Sequence, residues 1–320
     1  SGCLSLTTIA IPNGVTSIAD RAFYGCSGLT GLTIPNSVTS IADRAFYGCS
    51  GLTGIVIHAS VTSIAGRSFE NCTNLAPITV DSANPAYSSL GGVLFDKNQT
   101  LLVAYPIGRT GAYTAPNGLT GINAYAFYGC TNLTDLSLPD GLQTIGSFAF
   151  HSCSNLGSIT LPDSLTSIGQ QAFLGCAGLT NLTIPSGVTT INNFVFNRCS
   201  GLISLTLPSS LTSIGRYAFS DCTNLSHVVI PASIAGINEG AFYNCASMTA
   251  AYFLGNAPAM VPNAFQATGG DFTVYSLNGS TGFGTPTWQG YPAVSVADPS
   301  ITVQPASVGF ESGSSTTLSV

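Results

Sequence analysis

The sequence predicts a solenoid. Its expected form is a right-handed arc of about 11 stacked coils, mainly β, with short parallel strands plus helical turns and a small C-terminal cap. Three observations carry this. Ten cysteines fall on a 23-residue grid: Cys3, Cys26, Cys49 and Cys72, then Cys130, Cys153, Cys176, Cys199, Cys222 and Cys245. Ten phenylalanines keep the same beat: Phe23, Phe46, Phe69, Phe127, Phe150, Phe173, Phe196, Phe219, Phe242 and Phe265. Within most periods, apolar and polar residues alternate up to a proline, as in Gly31-Leu32-Thr33-Ile34-Pro35.

One period shows how each element arises. The alternation at Leu32 and Ile34 has the two-residue repeat of a strand. Pro35 has no N–H to give a ladder, so the first strand should stop there. Val38-Thr-Ser-Ile41 reads as a second short extended segment. Ala-Asp-Arg-Ala45-Phe46 reads as a helical turn with Ile41, Ala45 and Phe46 facing inward. The Ile41 site recurs as Ile18, Ile64, Ile122, Ile145, Ile168, Ile191, Ile214 and Ile237. The Val38 site recurs as Val15, Val61, Leu119, Leu142, Leu165, Val188, Leu211 and Ile234. Stacked coils turn such columns into ladders about 4.8 Å apart.

The pattern Leu-x-x-Leu-x-Ile-Pro-x-x-Val-x-x-Ile-x-x-x-Ala-Phe-x-x-Cys resembles the BspA-like (treponemal-type) class of leucine-rich repeats, over about residues 1–265. That resemblance implies a leucine-rich repeat solenoid from a bacterial surface or secreted protein. Several members of the class are adhesins for host matrix proteins or other cells. The expected partner is therefore a host or neighbouring-cell surface protein or glycan, bound extracellularly or at the cell surface by a monomer. A spacer or stalk presenting other domains is the alternative, because residues 1–26 and 27–49 almost copy each other.

Composition excludes other classes. Charged residues make up 6% of the chain and the net charge is -6, with a single lysine, Lys97. A phosphate-backbone binder needs a basic stripe, so nucleic acid is excluded as a partner. No apolar run approaches the roughly 18 residues of a membrane span, so no membrane insertion is expected in this segment. The start at Ser1-Gly2-Cys3 and the end at Leu318-Ser319-Val320 suggest a piece of a longer exported protein. His58, His151 and His227 are scattered without a nucleophile or acid partner in any recognisable motif. No enzyme, cofactor or metal site is expected. The cysteines are expected to be free, buried thiols acting as small hydrophobes, with disulfides or metal binding as alternatives.

The grid breaks between Cys72 and Cys130. Asp81 to Ser89 reads as a turn-rich loop. Gly92–Phe95 and Thr100–Tyr105 read as strands joined by a turn at Asp96-Lys97-Asn98-Gln99, hence a hairpin. This is either a repeat variant or a binding protrusion, with Tyr87, Tyr105 and Arg109 as its candidate contacts. The outward side of the first strands is the other candidate surface, small, neutral and hydroxyl-rich. It offers Asp135, Asn181, His227 and Tyr252 as candidate contacts.

The expected organisation is repeats over 1–249, with variant repeats and the hairpin over 73–129, and a capping region over 250–297. Trp288 should seal the last core layer. Residues 298–320, from Asp298-Pro-Ser-Ile-Thr-Val-Gln-Pro onward, resemble the truncated start of a bacterial immunoglobulin-like domain.

Overall fold

Each 23-residue period becomes one coil with three sides, and like sides stack into ladders. The computed structural model describes residues 2–297, so the immunoglobulin-like expectation for 298–320 lies outside the described residues. Among the described residues the first side carries 13 strands, more than the about 11 coils expected. They are Thr8–Ala10, Gly31–Thr33, Ile55–Ile57, Ile78–Val80, Gly111–Thr114, Leu133–Ser137, Ser158–Ile159, Asn181–Thr183, Ser204–Thr206, His227–Ile230, Ala250–Phe253, Thr273–Leu277 and Tyr291–Val296. Within each sheet neighbours pair in parallel, most of them in constant register, as in Asn181↔Ser204, Leu182↔Leu205 and Thr183↔Thr206. The second side is a ladder of two-residue strands, such as Ser40–Ile41 on Ser63–Ile64.

The third side corrects one expectation. Among the described residues it holds turns and no helix. Two left-handed residues four apart interrupt most of these turns, for example Tyr125 at φ 63° with Gly129 at φ 70°, and Phe148 at φ 60° with Ser152 at φ 61°. A left-handed residue cannot continue a right-handed helix. Alternate N–H groups also leave their own turn: Phe127 and Gly129 donate to Ala149 O and His151 O of the next coil. Ala and Arg favour a helix in isolation, but stacking redirects the hydrogen bonds that would propagate it.

The core is a column of rings flanked by thiols. Phe127, Phe150, Phe173, Phe196, Phe219, Phe242 and Phe265 stack in sequence with centroids 4.8–5.3 Å apart. All ten cysteines are free; nine are buried, and Cys3 is exposed. Seven of the nine buried thiols donate to a carbonyl one coil away. Cys153 Sγ donates to Phe127 O at 3.1 Å, Cys176 Sγ to Phe150 O at 3.1 Å, and Cys222 Sγ to Phe196 O at 3.3 Å. The grid therefore has a physical meaning: a small, weak donor fits beside the ring column and satisfies a buried carbonyl.

The break in the grid is a coil of unusual construction. The strands Val93–Asp96 and Leu101–Ala104 form the expected antiparallel hairpin. Its turn is held by Asp96, whose Oδ1 accepts from Leu101 N at 2.8 Å and Oδ2 from Thr100 Oγ1 at 2.7 Å. Part of the stretch read as loop is a third strand, Tyr87–Leu90, paired antiparallel to Val93–Asp96. The hairpin does not protrude. Val93, Leu94, Phe95 and Leu102 are fully buried, and Leu101–Ala104 pairs in parallel with Gly121–Ile122. These four apolar side chains gain more by entering the core than by standing in water.

Residues 250–296 prolong the same first-side ladder, with Val274 paired to Ala251 and to Ala293. This accounts for much of the larger strand number. Trp288 closes the core at that end, 5.4 Å from Phe253 and 4.7 Å from Phe283.

Candidate binding face

Strand alternation sends one set of first-side residues into the core and the other outward. Repetition turns the outward set into two rows. One row contains Asp135, Ser158, Asn181, Ser204, His227 and Ala250, with Asp135↔Ser158, Asn181↔Ser204 and His227↔Ala250 paired in register. The other contains Ser137, Thr160, Thr183, Thr206, Val229, Tyr252, Tyr275 and Val294, with Val229↔Tyr252, Tyr252↔Tyr275 and Tyr275↔Val294 in register.

The face changes character along its length. Through Thr206 its side chains are mostly hydroxyls, with Ser158 Oγ 3.4 Å from Asp135 Oδ1. An open depression of about 400 Å³ lies here, lined by residues 135–138 and 158–160. From His227 onward the face is aromatic and apolar. The His227 ring meets Tyr252 edge-on at 6.4 Å, and Tyr252 stacks on Tyr275 at 5.0 Å. Val294, beside Tyr275, is 46% exposed.

Electrostatics keep this end neutral. Burial lowers the His227 pKa, favouring the uncharged ring, and Ser226 Oγ lies 3.0 Å from its Nδ1. Burial, with Tyr275 beside it, pushes the Tyr252 hydroxyl up to about 12.

A family model described as the BspA type leucine rich repeat region (6 copies) matches residues 1–102 and 120–249. This chain belongs to the BspA-type leucine-rich repeat family. Solved structures share the fold. The pneumococcal vaccine antigen PcpA is similar with a TM-score of 0.64 and 23% identity, over 85% of this chain. This chain spans 63% of the length of that one. A leucine-rich repeat protein from Eubacterium ventriosum is similar with a TM-score of 0.56 and 27% identity, over 82% of each chain. No curated protein matches the sequence. No helix among the described residues is long and apolar enough to cross a membrane, and none of their His, Cys, Asp or Glu residues form a metal-holding group of three.

Within this BspA-type array the seven candidate contacts divide sharply. Asp135, Asn181, His227 and Tyr252 share the outward face, although Tyr252 is only 7% exposed because its neighbours cover its ring. The three insert candidates are turned into the structure. Tyr105 is 5% exposed and takes the place of a column phenylalanine, stacked on Phe127 at 4.8 Å with its N–H on Ala126 O at 2.8 Å. The Tyr87 hydroxyl accepts from Ile64 N at 2.9 Å. Arg109 lays its guanidinium over the Tyr105 ring at 5.6 Å and donates from Nη1 to Gly91 O, leaving Nε buried without a partner. Tyr275 escaped the sequence reading because it falls in the stretch read as a cap. Its offset of 23 residues from Tyr252 was the available signal.

Proposed function

We propose that this chain is a non-enzymatic recognition module of a bacterial surface or secreted protein. It binds a protein of a host or neighbouring cell, in an adhesive role, through the outward side of its first-strand ladder. The observation that carries this reading is the change from hydroxyls to the contiguous patch of His227, Val229, Tyr252, Tyr275 and Val294. Contiguous exposed apolar surface marks interaction sites, and tyrosines are enriched among the residues that dominate binding energy. Asp135 and Asn181 then form a polar flank that sets orientation more than affinity.

The test is surface-immobilised binding of the full chain against matrix proteins, mucins and glycans, alongside Tyr275→Ser and His227→Ala. A protein ligand whose affinity falls about 30-fold in Tyr275→Ser supports the reading. A ligand bound equally by both variants moves the contact off this patch, and a glycan hit changes the ligand class. The near-copying of residues 1–26 by 27–49 favours a second reading, a spacer in which length matters more than surface. Absence of any ligand even under multivalent display selects that spacer.

A further inference from the structure

On the third side, the turns of regular neighbours in this array are tied together through backbone. Tyr125, Phe127 and Gly129 donate to Ser147, Ala149 and His151, and Gln171, Phe173 and Gly175 donate to Asn193, Val195 and Asn197. The coil of 73–107 breaks this rule, and the first- and second-side ladders are interrupted there as well, as they also are between residues 158–168 and 181–191.

On the first side, Ile78–Val80 pairs back to Ile55–Ile57, and Gly111–Thr114 pairs forward to Leu133–Ser137. Among the described residues the two do not pair with each other. Between them lies the Gly91-Gly92 turn, held by Ile78 N on Gly92 O at 2.9 Å and Val80 N on Ser89 Oγ at 3.0 Å. On the second side, Ser63–Ile64 ends one sheet and Tyr87–Leu90 ends another. Ile64 N reaches across to a side chain, the Tyr87 hydroxyl, at 2.9 Å.

On the third side the odd coil supplies no turn of its own, so residues 65–72 meet residues 123–130 directly. An ideal Cβ on Gly66 would stand 3.1 Å from Ala124 O. No backbone hydrogen bond joins these two turns among the described residues. Arg67 spans them instead, paired with Glu70 at 3.3 Å and Asp43 at 4.0 Å on one side and lying 4.9 Å over the Tyr125 ring on the other.

We propose that the array is two stacked bodies, residues 2–86 and 87–296, which part along this seam before either one unfolds, and that Tyr87 and Arg67 are the fastenings. Tyr87, one of the residues that suggested a ligand site in the insert, is then a connector of the two bodies. A solenoid needs about three coils to be stable, and each body has them. A repeat array opens where its nearest-neighbour coupling is weakest, and the seam lacks the turn-to-turn backbone bonds that join the regular coils, keeping isolated backbone bonds such as Ile78 N to Gly92 O and Gly108 N to Leu75 O beside its side-chain contacts. The device gives the recognition face a joint between its N-terminal coils and its aromatic end.

Native-state hydrogen exchange on the full chain tests this, with Tyr87→Phe and Arg67→Gln as variants. Tyr87→Phe keeps the ring and removes one hydroxyl. In the unaltered protein the amides of Ile64 and of residues 67–71 should exchange ahead of the equivalent amides at 190–198. Each variant should speed the seam amides about fivefold further and leave 190–198 unchanged. Seam amides as protected as the central ones would overturn the proposal. So would variants that accelerate both bodies by the same factor.

Discussion

The regular coils of residues 123–245 and the single coil of residues 73–107 solve the same problem in opposite ways. Both must bury an apolar interior while pairing every backbone group. The regular coils use one rule repeatedly: a ring, a thiol and a short strand at fixed spacing, with backbone bonding to backbone. The odd coil has no cysteine and no column phenylalanine. Tyr105 supplies the ring, three antiparallel strands fill the second side, and side chains bridge to the neighbouring coil. A periodic solution tolerates near-copies, whereas an aperiodic one depends on particular residues.

The largest way to separate the two regions is alkaline pH. Burial raises the thiols of Cys49, Cys72, Cys130, Cys176, Cys199, Cys222 and Cys245, with Cys49, Cys199 and Cys245 pushed up to about 12. The folded chain therefore keeps protons that the unfolded chain releases above about 8.5. Stability is fully present below that value and is lost as pH rises toward 12. Each such thiol contributes a slope of up to about 1.4 kcal/mol per pH unit. Circular dichroism melts under reducing conditions between pH 7 and 11 should show a steep fall. Exchange-resolved unfolding should show the thiol-bearing coils failing before residues 87–104. A flat profile across this range would show that the thiols are not sealed in the folded array.

The same contrast explains what the sequence could and could not reveal. The ladders were legible because Phe173 or Ile168 repeats at every period, and a repeated position must face the same way each time. The third-side turns were misread because left-handed backbone at Tyr125 or Phe148 leaves no mark in residue type. Tyr105 lies 22 residues before Phe127, one short of the grid, so its substitution for phenylalanine was hidden by an insertion. Much of the candidate face was legible from strand alternation, through Asp135, Asn181, His227 and Tyr252. The remainder required register, since Tyr275 joins Tyr252 only once the last coils are known to continue the ladder.

Next in size is the ring column. Phe173 is fully buried between Phe150 at 4.9 Å and Phe196 at 5.3 Å. Phe173→Ala removes contacts on both faces and leaves a cavity between coils that cannot close without breaking their register. Denaturant unfolding should register a loss of about 3–5 kcal/mol. Because coils stabilise only their neighbours, the transition should also broaden or split. A loss below about 1 kcal/mol would mean that the column repacks.

A pair of asparagines gives the smallest and most selective comparison. In the odd coil Asn84 is fully buried and makes four hydrogen bonds. Its Nδ2 donates to His58 O at 2.7 Å and Val61 O at 2.9 Å, and its Oδ1 accepts from Ala86 N at 2.9 Å and Tyr87 N at 2.8 Å. In a regular coil the exposed Asn192 donates one bond, Nδ2 to Ile168 O at 2.7 Å. Asn84→Ala strands four backbone groups, each costing about 1–3 kcal/mol where water cannot reach it. It also loosens the segment that delivers Tyr87 to Ile64. Asn192→Ala returns one carbonyl to solvent. Urea titrations should therefore show a loss of about 3 kcal/mol or more for Asn84→Ala and of about 0.5 kcal/mol for Asn192→Ala. Equal effects would remove the distinction between the two regions, because they would mean that the aperiodic coil tolerates loss of a bridging side chain as readily as the ladders do.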